Sequence, residues 1–251
     1  MIAIVFIVGL IFGSFLNVVI HRIPQDQSIV WPGSRCPNCS KPIPPYDNIP
    51  LISYIMLRGR CRHCQASISW RYPLVEGLTG VCLLALFLRY GFDPQFWVYG
   101  VLTLFLIPLS FIDLDHGILP NKLTIPGFIL GLLLGILLQI ESWYNVLFGA
   151  LFGGGIMILI SLLGKLLFKK ESLGMGDVKL LVMIGVYVGF PWVAVCLFFG
   201  IFVAAVIILI CILRKKLSFG NTVPFGPFIA IGTFVFLLWG ESLVRAYLSL
   251  L

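Results

Sequence analysis

Long apolar runs, separated by shorter polar segments, dominate the pattern of the chain. An α-helix needs about 20 apolar residues to cross a bilayer. Backbone groups in lipid must be hydrogen-bonded within their own segment, and the runs lack the alternation of membrane β-strands, so the pattern predicts helices. The eight predicted spans, of which the sixth is short, are residues 1–20, 74–90, 96–112, 123–140, 146–168, 178–189, 193–213 and 225–244.

The composition supports a membrane protein of the all-α, polytopic class. Sixty per cent of the 251 residues are hydrophobic and 11% are charged. A soluble domain could not cover that much apolar surface with so few polar groups. The first run lacks a basic start and is not followed by a small-residue cleavage site, so we interpret it as a retained span and not as a signal peptide.

The net charge of +7 is distributed unevenly along the chain. Nucleic acid is a common partner of basic chains, but the basic residues here border apolar spans. Membrane orientation and anionic lipid headgroups explain them better, so we expect no nucleic-acid partner. The positive-inside rule predicts an outside N-terminus and a cytoplasmic segment 21–72. The basic residues used are Arg22, Arg35, Lys41, Arg58, Arg60, Arg62, Arg71, Lys122, Lys169, Lys170, Arg214, Lys215 and Lys216, against only Arg89 and Arg245 toward the other side.

The polar segment 21–72 contains two CxxC pairs, Cys36/Cys39 and Cys61/Cys64, with 21 residues between them. This spacing is typical of a four-thiolate zinc site, and a metal would stabilise a segment too short to build its own core. Disulfides and redox chemistry are the alternatives. A cytoplasmic location disfavours disulfides, and redox CxxC motifs usually occur singly. We therefore predict a zinc-ribbon-like insert.

Two aspartates near span ends are candidates for catalysis, because charged residues beside a span are costly and often functional. Asp113 follows the third predicted span and Asp177 begins the sixth. The third and fifth predicted spans both run inward, and Asp113 and Asp177 follow them. The predicted topology therefore places the two carboxylates on one membrane face. Gly174 and Gly176 precede Asp177, and we expect them to allow close backbone approach and unusual dihedrals. Two aspartates sharing one proton are the requirement of an aspartyl protease.

Other assignments of these acidic residues remain open from chemistry alone. The aspartates could cap helices or pair with Lys122 and Lys179. Asp115 and His116 compete with Asp113. Glu76 is a further buried-charge candidate, and pairing with Arg71 is its alternative assignment.

Six motifs follow one another along nearly the whole chain. They are Gly13-Ser-Phe-Leu-Asn-Val-Val, the two CxxC pairs, Arg71-Tyr-Pro-Leu-Val-Glu76, Ile112-Asp113-Leu-Asp115, Gly174-Met-Gly-Asp177-Val-Lys and Pro224-Phe-Gly-Pro227. In this order they resemble the bacterial type IV prepilin leader peptidases, which are GxGD membrane aspartyl proteases. A lone GxGD would be weak, but the ordered set is highly specific.

The resemblance implies cleavage of a short basic leader from prepilins or pseudopilins at the cytoplasmic face of the inner membrane. It implies Asp113 and Asp177 as the catalytic pair, and the CxxC pairs as the family's zinc-type domain. Many members also methylate the new N-terminus with S-adenosylmethionine. Gly13, Asn17 and Glu76 are weak suggestions for that activity, which rests on family analogy. Asn121 departs from the family, where Asp is frequent.

We expect three parts: a first transmembrane helix (1–20), a cytoplasmic Cys-rich domain (21–72) and a transmembrane protease domain (73–251). The competing hypotheses are a related GxGD protease of signal-peptide-peptidase or preflagellin type, a transporter, and a membrane scaffold. The CxxC insert argues against the first. A transporter predicts acidic residues near the bilayer midplane, whereas these lie near span ends.

Overall fold

The computed structural model describes residues 1–138, 142–168, 174–215 and 223–249. The end of the fourth predicted span at Ile140, and Lys169, Lys170 and Lys216, lie outside these ranges. Within them no residue forms a β-strand, which confirms the all-α class. The helices are α1 Ile2–Arg22, α2 Ile52–Met56, α3 Arg71–Tyr90, α4 Pro94–His116, α5 Asn121–Leu137, α6 Trp143–Phe168, α7 Met175–Val188, α8 Trp192–Leu213, α9 Gly226–Val235 and α10 Glu241–Leu248.

Each of the eight predicted spans is helical over most of its described length, but their lengths differ. Within the described ranges, five helices (α1, α3, α4, α6 and α8) are long and apolar enough to cross a membrane. Helix α5 and the stretch Gly226–Gly240 are apolar but shorter. The last predicted span is interrupted, because a π-helical turn, Phe236–Gly240, separates α9 from α10. The chain is therefore a multi-pass membrane protein whose exact number of spans depends on the short helices.

The chain divides into two compact units, Met1–Gly91 and Phe92–Leu251. In the first unit, α1 packs along α3. A Cβ atom added at Gly9 would lie 2.7 Å from Cα of Gly80, and one at Gly13 would lie 2.6 Å from Cα of Glu76. The Gly9-xxx-Gly13 spacing is the small-residue pattern that lets membrane helices approach closely. The sequence carries this signal inside the first predicted span.

Helix α7 lies at the centre of the second unit, where it contacts α4, α5, α6, α8 and α9. Nine of its fourteen residues are buried. Its length of about 21 Å is short against a hydrocarbon core of about 30 Å. Because α7 is surrounded by other helices, it does not face lipid over its whole length. This accounts for a helix shorter than the hydrocarbon core. The Tyr187 hydroxyl donates a 2.8 Å hydrogen bond to the Gly127 carbonyl, which ties α7 to α5.

The predicted three-part division at residues 20 and 72 stays a prediction, as does the orientation in the membrane.

Candidate active site and metal centre

Asp113 lies in the last turn of α4, which continues past the predicted span end to His116. The helix ends because Gly117 adopts a left-handed conformation, with φ 64° and ψ 28°, and its N–H donates to the Asp113 carbonyl at 2.8 Å. The Asp113 side chain is only 6% exposed. The C-terminus of a helix disfavours an anion, so helix capping does not explain a buried carboxylate at this position.

The backbone N–H of Gly226 supplies the compensating contact. It donates a 2.9 Å hydrogen bond to Oδ2 of Asp113, across 113 residues of sequence. Gly226 is the first residue of α9, so the carboxylate also lies at the positive end of that helix. A Cβ atom at Gly226 would lie 2.7 Å from the same oxygen, so only glycine fits this contact.

Asp177 lies in the first turn of α7. The N-cap residue of this helix is Gly174, which has no side chain to cap it. Asp177 is partly exposed. The predicted unusual dihedrals at the two glycines are wrong. Gly174 is extended, with φ −77° and ψ 150°, and Gly176 is helical, because the chain enters α7 without a left-handed residue.

Leu119, in the connection between α4 and α5, links the two aspartate segments. A Cβ atom at Gly176 would lie 3.1 Å from Cβ of Leu119, and one at Gly226 would lie 3.4 Å from its Cδ2. Leu119 is itself 8% exposed. The segments carrying Asp177 and Gly226 therefore pack on the same buried side chain, just after the helix that carries Asp113.

The competing polar residues are placed differently. Asp115 and His116 are exposed. Lys179, a predicted partner of the aspartates, donates a 2.9 Å hydrogen bond to Oδ1 of Asn121. Asn121 is the residue at which the sequence departs from the family pattern.

The two CxxC pairs form two turns of the same design. The N–H of Cys36 donates to the Lys41 carbonyl at 3.0 Å, and the N–H of Cys61 donates to the Ala66 carbonyl at 2.9 Å. Ser40 and Gln65, each following the second cysteine of its pair, have positive φ angles of 57° and 59°. This left-handed turn after each pair directs both thiols of a pair toward one point, and nothing in the residue types at 40 or 65 indicated it.

All four sulfur atoms lie within 4.8 Å of one another. Tetrahedral zinc with Zn–S bonds of about 2.3 Å requires sulfurs about 3.8 Å apart, and Sγ of Cys36 lies 3.8 Å from Sγ of Cys64. The Ala66 backbone N–H and the Asn38 side chain lower the pKa of the Cys64 thiol to about 6, whereas burial and the neighbouring thiols raise the pKa of Cys39 to about 11. The four thiols therefore do not ionise together without a cation. The donor set and its geometry therefore fit a four-thiolate metal ion.

An ion pair joins the second CxxC pair to a short helical turn. The Arg62 guanidinium donates to both carboxylate oxygens of Asp47, at 2.8 and 2.6 Å. Arg62 lies between the two cysteines of the second pair, and Asp47 belongs to the short helical turn Pro45–Asn48. The contact holds the pKa of Asp47 below its usual range.

Among the residues that the structure describes, Glu76 is the other buried carboxylate, at 8% exposure. Its Oε2 accepts a 2.9 Å hydrogen bond from the Leu51 N–H, and the Ser14 hydroxyl also bonds to the carboxylate. Nearby, Nδ2 of Asn17 donates to the Tyr72 carbonyl at 3.1 Å. The first unit thus holds a polar cluster of its own, formed by α1, α3 and the Cys-rich segment.

Comparison with known proteins agrees with the arrangement of both units. Residues 7–90 match the family described as Bacterial Peptidase A24 N-terminal domain, and residues 100–209 match the Type IV leader peptidase family. No solved structure gave a significant match.

Three relatives carry the name "Prepilin leader peptidase/N-methyltransferase". The protein of Pseudomonas aeruginosa is 36% identical, over 97% of this chain and 92% of its own length. That of Aeromonas hydrophila is 37% identical, over 98% and 93%. That of Myxococcus xanthus is 45% identical, over 72% of this chain and 54% of its own length. Both matched families and the extent of these alignments lead to one assignment: the chain belongs to the type IV leader peptidase family.

Proposed function

We propose that this protein is a membrane aspartic endopeptidase that removes the N-terminal leader of type IV prepilins or pseudopilins and then N-methylates the new terminus. The observation that carries the proposal is the buried Asp113 carboxylate, held by the N–H of Gly226, beside Leu119, on which the segment before Asp177 also packs. Relatives of nearly the same length carry both activities in their name.

The cleavage step uses the two carboxylates with one shared proton. The ionised aspartate takes a proton from water as the water attacks the scissile carbonyl. The protonated aspartate donates a hydrogen bond to the carbonyl oxygen and supports departure of the amine. Like charges held close cannot both remain ionised, so the pair titrates as a unit.

Both aspartates lie where a helix N-terminus stabilises a carboxylate. Asp113 accepts the Gly226 N–H at the first residue of α9, and Asp177 lies in the first turn of α7. The shared proton therefore belongs to the pair and is assigned to neither aspartate alone.

The remaining parts of the proposal concern the metal, the methyl donor and the membrane. Cys36, Cys39, Cys61 and Cys64 would hold a structural zinc ion, which stabilises the insert by joining its two turns. S-adenosylmethionine would be the methyl donor. The distribution of Lys and Arg supports cleavage on the cytoplasmic side of the inner membrane, with the N-terminus outside.

Mass spectrometry tests the proposal directly. Full-length protein in proteoliposomes is incubated with a prepilin and S-adenosylmethionine, and the pilin N-terminus is analysed. We expect a shortened pilin whose new terminus carries one added methyl group. An intact prepilin after incubation with folded, zinc-loaded protein would contradict the assignment and favour a transporter or scaffold.

A further inference from the structure

The first unit contains a cavity of about 430 Å³, bordered by α1, α3 and the Cys-rich segment. This volume lies within the range of about 300 to 1,000 Å³ typical of small-molecule sites. Its lining mixes acidic, amide, aromatic and basic side chains, including Asn17, Glu76, Tyr54, Tyr72 and Lys41. The proteolytic mechanism uses none of these residues.

We propose that this cavity binds the adenosyl sulfonium methyl donor, with the positive sulfonium directed toward Glu76. The inference rests on the N-methyltransferase activity in the proposed function and adds to it a binding site and a residue that reads the donor's charge.

Glu76 is the first argument for a cationic ligand. Its carboxylate lies on an apolar helix, is 8% exposed and lines the cavity. An acidic group in such a place is costly and is a functional candidate. The two hydrogen bonds from Leu51 and Ser14 come from neutral donors. A carboxylate has about four acceptor positions, so the group keeps capacity for a ligand.

The backbone that holds Glu76 is strained. Leu51 has φ 60° and ψ −47°, and the Ile52 N–H bonds to the Pro50 carbonyl at 2.6 Å, which makes a tight three-residue turn. Such turns are rare and strained for a residue with a side chain, and strain of this kind clusters at functional sites. The turn directs the Leu51 N–H to the carboxylate, and so fixes the Glu76 side chain in the cavity wall.

The other lining residues suit the remaining parts of such a donor. Tyr54 and Tyr72 offer aromatic rings, which attract cations through their faces and stack on bases. Lys41 offers a positive charge for the donor's α-carboxylate. Two cysteines of the metal cluster, Cys36 and Cys61, also line the cavity, so its wall depends on the two CxxC turns.

The position of the cavity in the chain agrees with this role. All of its lining residues fall between Ser14 and Glu76, inside the matched N-terminal domain at 7–90. The leader peptidase match, at 100–209, contains both aspartates. Since the second matched domain contains both aspartates, the first matched domain is available for methyl transfer.

The transfer itself is balanced without a further reactant. The neutral terminal amine of the pilin forms a bond to the methyl carbon as the S–CH₃ bond breaks. The electron pair of that bond returns to sulfur, which becomes a neutral thioether. The methylated ammonium then loses its proton to water.

Equilibrium binding to full-length, zinc-loaded protein in detergent tests the site. The probes are S-adenosylmethionine, which is cationic at sulfur, and S-adenosylhomocysteine, which is neutral there. The variants are Glu76→Gln, which keeps an acceptor for Leu51, and Val18→Trp, which fills the cavity. The matched control is Asp26→Asn, an exposed acid-to-amide change in the same unit and outside the cavity lining. Prepilin cleavage is measured on every variant.

We expect Glu76→Gln to weaken binding of S-adenosylmethionine about 10-fold or more, as loss of a charged contact does, and to weaken S-adenosylhomocysteine much less. Val18→Trp should weaken both, and Asp26→Asn neither, while cleavage persists throughout. Unchanged binding in both variants, or an equal loss of both probes in Glu76→Gln, would overturn the inference and leave the protease function standing. Failure of the wild type to bind either probe would overturn the methyltransferase activity as well.

Discussion

The backbone N–H of Gly226 donates a 2.9 Å hydrogen bond to Oδ2 of Asp113, and a methyl group at Gly226 would lie 2.7 Å from that same oxygen. The glycine therefore both holds the carboxylate and leaves room for it. This contact joins the end of α4 to the start of α9. A single carbon atom added at Gly226 would therefore displace the Asp113 carboxylate.

Gly226→Ala should displace the Asp113 carboxylate. A shift of about 1 Å at a catalytic group can cost about 100-fold in rate, so we expect prepilin cleavage to slow by that order. The measurement is the initial cleavage rate at equal amounts of folded protein. Gly155→Ala is the matched control, because no atom lies within 4 Å of a Cβ added at that exposed helical glycine. Equal rates in the two variants would argue against the role given to Gly226.

The two glycines before Asp177 should differ in their tolerance of alanine. At Gly176 an added Cβ would lie 3.1 Å from Cβ of Leu119, a tight contact with buried packing. At Gly174 the nearest atoms are 3.8 Å away and the backbone is extended. We expect Gly176→Ala to reduce cleavage strongly and Gly174→Ala to reduce it weakly, by the same rate measurement. The reverse order would show that Leu119 does not position the Asp177 segment.

Removal of one thiol from the cysteine cluster should release the metal. Cys36→Ser and Cys64→Ser each leave three thiolates, so bound zinc should fall and segment 21–72 should become sensitive to proteolysis. Cys211→Ser is the control, since that cysteine lies in α8, outside the cluster. Zinc content and the mapped sites of limited proteolysis are the readouts. A full complement of tightly bound zinc in Cys36→Ser would contradict the four-thiolate site.

Asn121→Asp tests whether the surface contact of Lys179 matters to the site. The change would convert a 2.9 Å hydrogen bond into an ion pair at the first turn of α5. Exposed ion pairs contribute less than about 1 kcal/mol, so we expect a small rise in thermal stability and an unchanged cleavage rate. Asn121→Ala provides the comparison in which Lys179 has neither the hydrogen bond nor the ion pair at this position. A large change in cleavage with Asn121→Asp would mean that Lys179 acts on the aspartates directly.

The sequence predicted the all-α fold and proposed residues for both candidate sites, but it did not predict the contacts that hold those residues. Asp113, Asp177 and the four cysteines stand out because charge and thiols are rare in this chain and their spacing has chemical meaning. The bond from Gly226 to Asp113 could not be read in the same way, since it joins residues 113 positions apart. The motif around Pro224 was the only sign that this segment mattered.

The local backbone conformation at several residues could not be predicted from the sequence either. The strained turn at Leu51 and the left-handed Ser40 and Gln65 occur at residue types that do not favour positive φ. At Leu51 the unusual conformation accompanies a tertiary contact, since its N–H bonds to Glu76. At Ser40 and Gln65 it accompanies local bonds, because their N–H groups donate to the carbonyls of Cys36 and Cys61 at 2.9 and 3.0 Å. Conversely, the glycines expected to be unusual, Gly174 and Gly176, have ordinary dihedrals.

Prepilin cleavage by Asp113→Asn, Asp177→Asn and Asp115→Asn, compared with the wild type in membranes, tests the central claim most directly. Protein level and zinc content are checked in each, so that loss of folding is separated from loss of chemistry. The two-aspartate account predicts that the first two substitutions abolish cleavage and that the third, at an exposed residue, spares it. Intact cleavage in both Asp113→Asn and Asp177→Asn would contradict the aspartyl mechanism.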